Sequence, residues 1–162
     1  MSTKHSLKDF LSMPVVCAYG LEEIKRNIPH REPFLLVDEI RVLEDAKKYI
    51  GIHRVKADEY YFRGHFPNHP VMPGVLIIES MSQAFGGCAM ARVDNGQGRI
   101  PLFLSIEEAK FRGIVQPGDE MLMPIEILRL GKISKIYAEA YVQDKLCAQA
   151  VLNFILGDPS HV

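Results

Sequence analysis

The chain has 162 residues, 48% hydrophobic and 24% charged, enough for one domain with a sizeable core. Its formal net charge of −1 leaves no basic excess for nucleic acid. The three cysteines, Cys17, Cys88 and Cys147, are odd in number and far apart, which argues against a disulfide framework or a zinc cluster and for a reduced, cytoplasmic setting.

Residues 1–20 have weak periodicity and read as an arm with one short helical turn near residues 6–12. The apolar stretch at 13–18 is too short, and too closely preceded by charge, for a signal peptide. Leu21, Ile24 and Ile28 fall at i, i+3 and i+7, which predicts a short amphipathic helix that Pro29 ends. Residues 28–33 form a rigid connection. A strand over 34–43, a polar turn at 44–47 and a returning strand over 49–55 follow.

The central stretch, residues 64–92, reads GHFPNHPVMPGVLIIESMSQAFGGCAMAR. Pro67, Pro70 and Pro73 each remove a backbone donor and fix φ, so it begins as a stiff loop. After Gly74 an apolar helix starts, carrying one acid, Glu79. Its serines, Gln83 and two glycines suit a buried helix rather than a membrane span. A loop at 93–98 leads to four β-like runs at 100–111, 120–130, 133–142 and 146–156, separated by turns. Pro124 argues for an edge position or a bulge in its strand. In the third run Ile136, Ala138, Ala140 and Val142 share one face, and Tyr137, Glu139 and Tyr141 the other. The order predicts an α+β fold: six mainly antiparallel strands and a helix apolar on nearly all sides, which a sheet must wrap. One domain is expected over 21–157, after the arm at 1–20 and before a short tail at 158–162.

Two residues in the central stretch carry chemistry. His65 sits between Gly64 and Phe66 in the stiff loop, and histidine is the natural side chain for moving a proton near neutral pH. The plain alternative is a surface-loop histidine. His65 and His69 lack carboxylate or cysteine neighbours, so no metal site is expected. Glu79 stands among Val75, Leu76, Ile77, Ile78 and Met81; burial there would raise its pKa and fit it to donate a proton. The alternative is a carboxylate on a solvated stripe, with Gln83 one turn on. Gly74 and Val75 begin the helix, where unpaired N–H groups can hold an oxygen that becomes negative. Gly86 and Gly87 permit a close approach, by a packed neighbour or by an acyl chain. A base, an acid and a carbonyl-polarising helix end fit β-elimination of water from a 3-hydroxyacyl compound.

The segments IPHREPFLLVDEI (28–40), GHFPNHPVMPGVLIIESMSQ (64–83) and KFRGIVQPGD (110–119) resemble the 3-hydroxyacyl-acyl-carrier-protein dehydratases of the FabZ type, in the right order. The resemblance implies a hotdog fold, a long helix wrapped by a curved antiparallel sheet, in homodimers assembled as a hexameric trimer of dimers. It implies His65 as catalytic histidine, Glu79 of the partner chain as catalytic acid, and Gly74 and Val75 as the backbone that polarises the thioester. The implied reaction turns a (3R)-3-hydroxyacyl chain on acyl carrier protein into the trans-2-enoyl thioester for fatty acid synthesis, with no metal or bound cofactor. Glu79, where the dehydratase–isomerase type carries Asp, argues against isomerisation. Phe66, Met72, Phe85, Leu102 and Phe103 are the acyl-tunnel candidates, and Arg31, Lys110 and Arg112 the candidates for docking the acidic carrier. Three features depart from the pattern: the arm, Leu102 in place of a frequent tyrosine, and Gly113-Ile114 where residue-Pro is usual. A hotdog thioesterase, a CoA-linked enoyl hydratase and a non-catalytic acyl-binding subunit are the competing readings.

Overall fold

The computed structural model describes residues 6–94, 96–158 and 160. The first five residues of the expected arm, Asn95 of the predicted loop and most of the expected tail lie outside the described residues. The chain runs α1 (Leu7–Ser12), β1 (Val15–Tyr19), α2 (Leu21–Asn27), β2 (Glu39–Leu43), β3 (Lys48–Arg54), a 3-10 turn (Tyr60–Arg63), α3 (Gly74–Val93), β4 (Ile100–Phe111), β5 (Glu120–Arg129), β6 (Ile133–Val142) and β7 (Lys145–Gly157). All seven strands pair antiparallel in one sheet of order β1-β2-β3-β5-β6-β7-β4. Helix α3 packs against β2 through β7, which is the expected hotdog arrangement. By length and composition α3 could cross a bilayer, but its apolar surface is mostly buried inside the protein.

The sheet has seven strands rather than six. The extra one, β1, lies in the region read as an arm, pairs with β2 and is exposed along most of its length. Ahead of it, Ser6 and Asp9 form a capping box that starts α1. Phe10 of α1 then packs on Leu43, Ile50 and Ile52, on the sheet face away from α3. Strand β3 is therefore covered on both faces, by α1 and by α3.

Residues 34–38 are buried in part but are not strand, and the reason lies in α3. Gln83 Oε1 accepts the Leu36 N–H at 2.7 Å, and Gln83 Nε2 donates to the Phe34 carbonyl at 2.8 Å. Ser80 Oγ donates to the Leu36 carbonyl at 2.5 Å. Helix side chains thus take the bonds a neighbouring strand would have taken. Gln83→Leu, which strands a buried N–H, is expected to lower stability by about 2 kcal/mol. The urea midpoint checks this; an unchanged midpoint would show that water replaces the amide.

Pro124 is not on an edge strand: β5 lies inside the sheet between β3 and β6. Its ladder with β3 is unbroken from Lys48↔Glu126 to Arg54↔Glu120. On the β6 side, pairing passes from Leu122↔Tyr141 to Ile125↔Ala138, with no pair at Met123 or Pro124. The missing N–H is accommodated by that gap in the ladder. Gly86 and Gly87 admit protein neighbours: a Cβ at Gly87 would stand 2.7 Å from Ile40 Cδ1 of β2, and one at Gly86 would stand 3.0 Å from Ile28 Cγ2. Asn27 Nδ2 donates to the Gly87 carbonyl at 2.7 Å, fixing α2 against α3.

Candidate active site

The loop before α3 is set by its own backbone. The His65 N–H donates to the Tyr61 carbonyl at 3.0 Å, closing the 3-10 turn. Phe66 and His69 exchange N–H to carbonyl bonds at 3.1 and 3.0 Å, and the Val71 N–H returns to the His65 carbonyl at 3.0 Å. The Met72 N–H then ties the loop to the Val115 carbonyl at 2.8 Å. The His65–Phe66 peptide is cis, and the two rings stack with centroids 4.1 Å apart.

This frame decides the tautomer of His65. Nδ1 lies 2.8 Å from the Val71 carbonyl oxygen. A carbonyl only accepts, so Nδ1 carries the hydrogen and Nε2 of the neutral ring presents a lone pair. A half-buried histidine with Nε2 open and Nδ1 fixed is built to take up a proton.

An apolar cleft of about 450 Å³ lies beside it, lined by His65, Met72, Gly74, Val75, Phe111 and Ile114 among others. Gly74 and Val75 open α3, and their N–H groups have no hydrogen-bond partner among the described residues. Val75 is 72% exposed. The positive end of the helix therefore faces the cleft with free donors. Gly74 has to be small: a Cβ there would come within 2.8 Å of the Phe111 ring.

Glu79 does not line this cleft. Its Oε1 accepts from Gln83 Nε2 at 3.0 Å and lies 3.4 Å from His30 Nε2. It is a partly buried, tethered carboxylate, not a member of a solvated stripe. His30, read from sequence only as part of a rigid connection, thus meets the one acid of α3. Its ring also stacks on Phe34 at 6.4 Å. The i, i+4 spacing of Glu79 and Gln83 was visible in the sequence; the His30 contact, made across the fold, was not.

The tunnel candidates fall into two groups. Phe66 and Met72 stand at His65. Phe85 and Phe103 both stack on Phe154, at 4.9 and 5.1 Å, and Leu102 approaches Gly157. Of the docking candidates, Arg31 already spends its guanidinium on the carbonyls of Lys25, Ile28 and His30 at the end of α2. Lys110 and Arg112 are exposed, with Arg112 Nε bonded to Gln149. Asp119 is a turn residue, accepting the Gln116 N–H at 2.7 Å. Among the described residues no group of three or more His, Cys, Asp or Glu is placed to hold a metal ion.

The profile of the FabA-like domain matches residues 28–151. A protein named 3-hydroxyacyl-(acyl-carrier-protein) dehydratase FabZ, from Desulforamulus reducens, is 47% identical over 138 residues, which cover 85% of this chain and 96% of that one. A protein of the same name from Halalkalibacterium halodurans is 42% identical over 137 residues, covering 84% and 97%. Among solved structures, the dehydratase heterocomplex ApeI:P from Xenorhabdus doucetiae matches with a TM-score of 0.71 and 16% identity, over 85% of this chain and 92% of that one, a likeness of fold.

Proposed function

The chain belongs to the FabA-like family, and from that premise we infer that it is a 3-hydroxyacyl-acyl-carrier-protein dehydratase of fatty acid synthesis. The observation that carries the chemical reading is the fixed tautomer of His65 beside an apolar cleft at a donor-rich helix end. The thioester carbonyl accepts from the N–H groups of Gly74 and Val75, which acidifies the hydrogens at C2. His65 Nε2 removes one of them. As C2=C3 forms, the C3–O bond breaks, and Glu79 protonates the departing hydroxyl to give water and the trans-2-enoyl thioester.

Glu79 is supplied by a second copy of the chain. Within one chain its carboxylate is tethered to Gln83 and His30 and is not part of the His65 cleft. The surface near that cleft also calls for a partner. Strand β4 is one edge of the sheet, among the described residues paired with β7 alone, and it exposes Phe103, Leu104, Ile106 and Phe111. A long apolar edge strand of this kind is unfavourable in water. Pairing through β4 gives a homodimer, and three such dimers give the hexamer. The acidic carrier docks on Lys110 and Arg112, with Arg31 contributing charge while capping α2. The setting is the cytoplasm, in keeping with three free cysteines.

The test is turnover of a 3-hydroxyacyl-acyl-carrier-protein series of increasing chain length. Formation of 2-enoyl thioester without thiol release is the expected result. Thiol release would make the protein a thioesterase, faster turnover of CoA thioesters a CoA-linked hydratase, and binding without turnover an acyl carrier subunit.

A further inference from the structure

Outside the candidate site, β3 buries a histidine between two acids. His53, near the end of β3, is 2% exposed. Its Nδ1 lies 3.0 Å from Asp38 Oδ2, ahead of β2, and its Nε2 lies 3.4 Å from Glu59 Oε1, which precedes the 3-10 turn. A neutral imidazole would turn a lone pair toward one of the two carboxylates. Only the doubly protonated ring offers a hydrogen to both. The contact to Glu59 is at ion-pair distance without hydrogen-bond alignment, and a buried imidazolium so placed costs free energy unless both acids compensate it.

The triad sits where the strand gives way to the catalytic loop. Val55 still pairs with the β5 turn, its N–H donating to the Asp119 carbonyl at 2.9 Å. Beyond it the chain leaves the sheet, and Glu59 enters the turn whose Tyr61 carbonyl holds the His65 N–H. One side chain in β3 therefore touches the segment that leads to His65.

We propose that His53 is a positioning residue: its imidazolium, clamped between Asp38 and Glu59, holds residues 56–65 so that His65 meets the substrate, and loss of that proton slackens the segment. The proposal rests on the assignment of His65. The charged groups facing the ring are Asp38 and Glu59, with Lys56, Asp58 and Glu32 lining a cleft of about 200 Å³ beside it; Arg54, next in the strand, gives Asp38 its main-chain N–H and turns its guanidinium to Glu39 and Glu120. Cross-strand, His53 faces the apolar Met121. Burial pushes the His53 pKa down, but the two carboxylates outweigh it and hold the value above the ordinary one. Burial likewise raises Asp38, but the hydrogen bonds from His53 and the Arg54 N–H hold it below the usual carboxylate value.

The sign follows from linkage. The His53 contribution is fully present below the unfolded imidazole value, about pH 6.5, and is lost as pH rises through the raised folded value. The Asp38 contribution is lost at the other end, as pH falls through its depressed value. The clamp is intact between these limits.

The experiment compares pH profiles of kcat and KM for the wild type, His53→Gln and His53→Lys. The wild type is expected to lose kcat on the alkaline side with KM steady. The Gln variant, without a cation, is expected to show roughly tenfold lower kcat at neutral pH, a small displacement of a catalytic group being costly. The Lys variant, cationic throughout, is expected to regain most of the kcat and to carry the alkaline limb upward by at least about one pH unit. An alkaline limb that stays in place in the Lys variant overturns the proposal. A second readout needs no activity: amide hydrogen exchange over residues 56–65, corrected for intrinsic rate, is expected to quicken on the alkaline side in the wild type but not in the Lys variant. Equal behaviour of the two proteins overturns the clamp, also where the Gln variant does not fold. If the exchange shift appears while the wild type has no dehydratase turnover, the function assignment fails and the clamp stands.

Discussion

His65→Ala is expected to lower dehydratase turnover by about 10³-fold with the fold intact. The ring contributes one hydrogen bond to the structure, from Nδ1 to the Val71 carbonyl. The loop keeps its Phe66–His69 and His65–Val71 backbone bonds whatever side chain stands at 65. The stability cost is therefore about 1 kcal/mol, visible as a shift of a few degrees in Tm. The substitution also removes the Nε2 lone pair of the imidazole that lines the cleft beside the open N–H groups of Gly74 and Val75. Hydration of crotonyl thioester and the reverse reaction should fall together, since both use the same base. A folded variant with turnover near that of the wild type would remove His65 from the mechanism.

Glu79→Gln is expected to cost at least about 10²-fold in kcat, and a mixing experiment then shows where the acid acts. Glutamine keeps the shape of the side chain and an oxygen for the Gln83 amide but cannot deliver the proton. On the shared-site proposal, the His65→Ala and Glu79→Gln homo-oligomers are both expected to be nearly inactive. Mixed and allowed to exchange subunits, they form heterodimers with two unlike sites. One site has lost both residues, and the other pairs the His65 of one chain with the Glu79 of the second. Activity should then recover to about half the wild-type value per heterodimer. If the two residues served one another within a chain, no mixture would regain activity, and the shared-site proposal would be wrong.

Features that depend on near neighbours were legible in the sequence. The period of Leu21, Ile24 and Ile28 gave α2, and the alternation through Ile136, Ala138 and Ala140 gave β6 with its buried face. The proline cluster and the apolar run beyond it gave the loop and α3. What was missed depends on partners distant in sequence. Strand β1 is exposed along most of its length, so it shows no alternation, and its pairing with β2 is known only from the fold. Residues 34–37 look like a strand because they are apolar, yet their partners are Gln83 and Ser80. Pro124 reads as a signal of an edge or a bulge because the gap opposite it in the β6 ladder cannot be seen in the chain. His30 and His53 look like ordinary polar residues until Glu79, Asp38 and Glu59 are brought to them.

The order of the elements has a consequence for synthesis. Helix α3 ends at Val93, while β7, which helps to cover it, ends only at Gly157. A ribosome adding roughly 5–20 residues per second needs about 3–13 s to make the chain between those points. Through that interval the long apolar helix is complete and uncovered, with only β1 to β3 of the sheet already made. The nascent chain thus has several seconds in which a chaperone, or a second nascent chain, can reach α3 before its own sheet does.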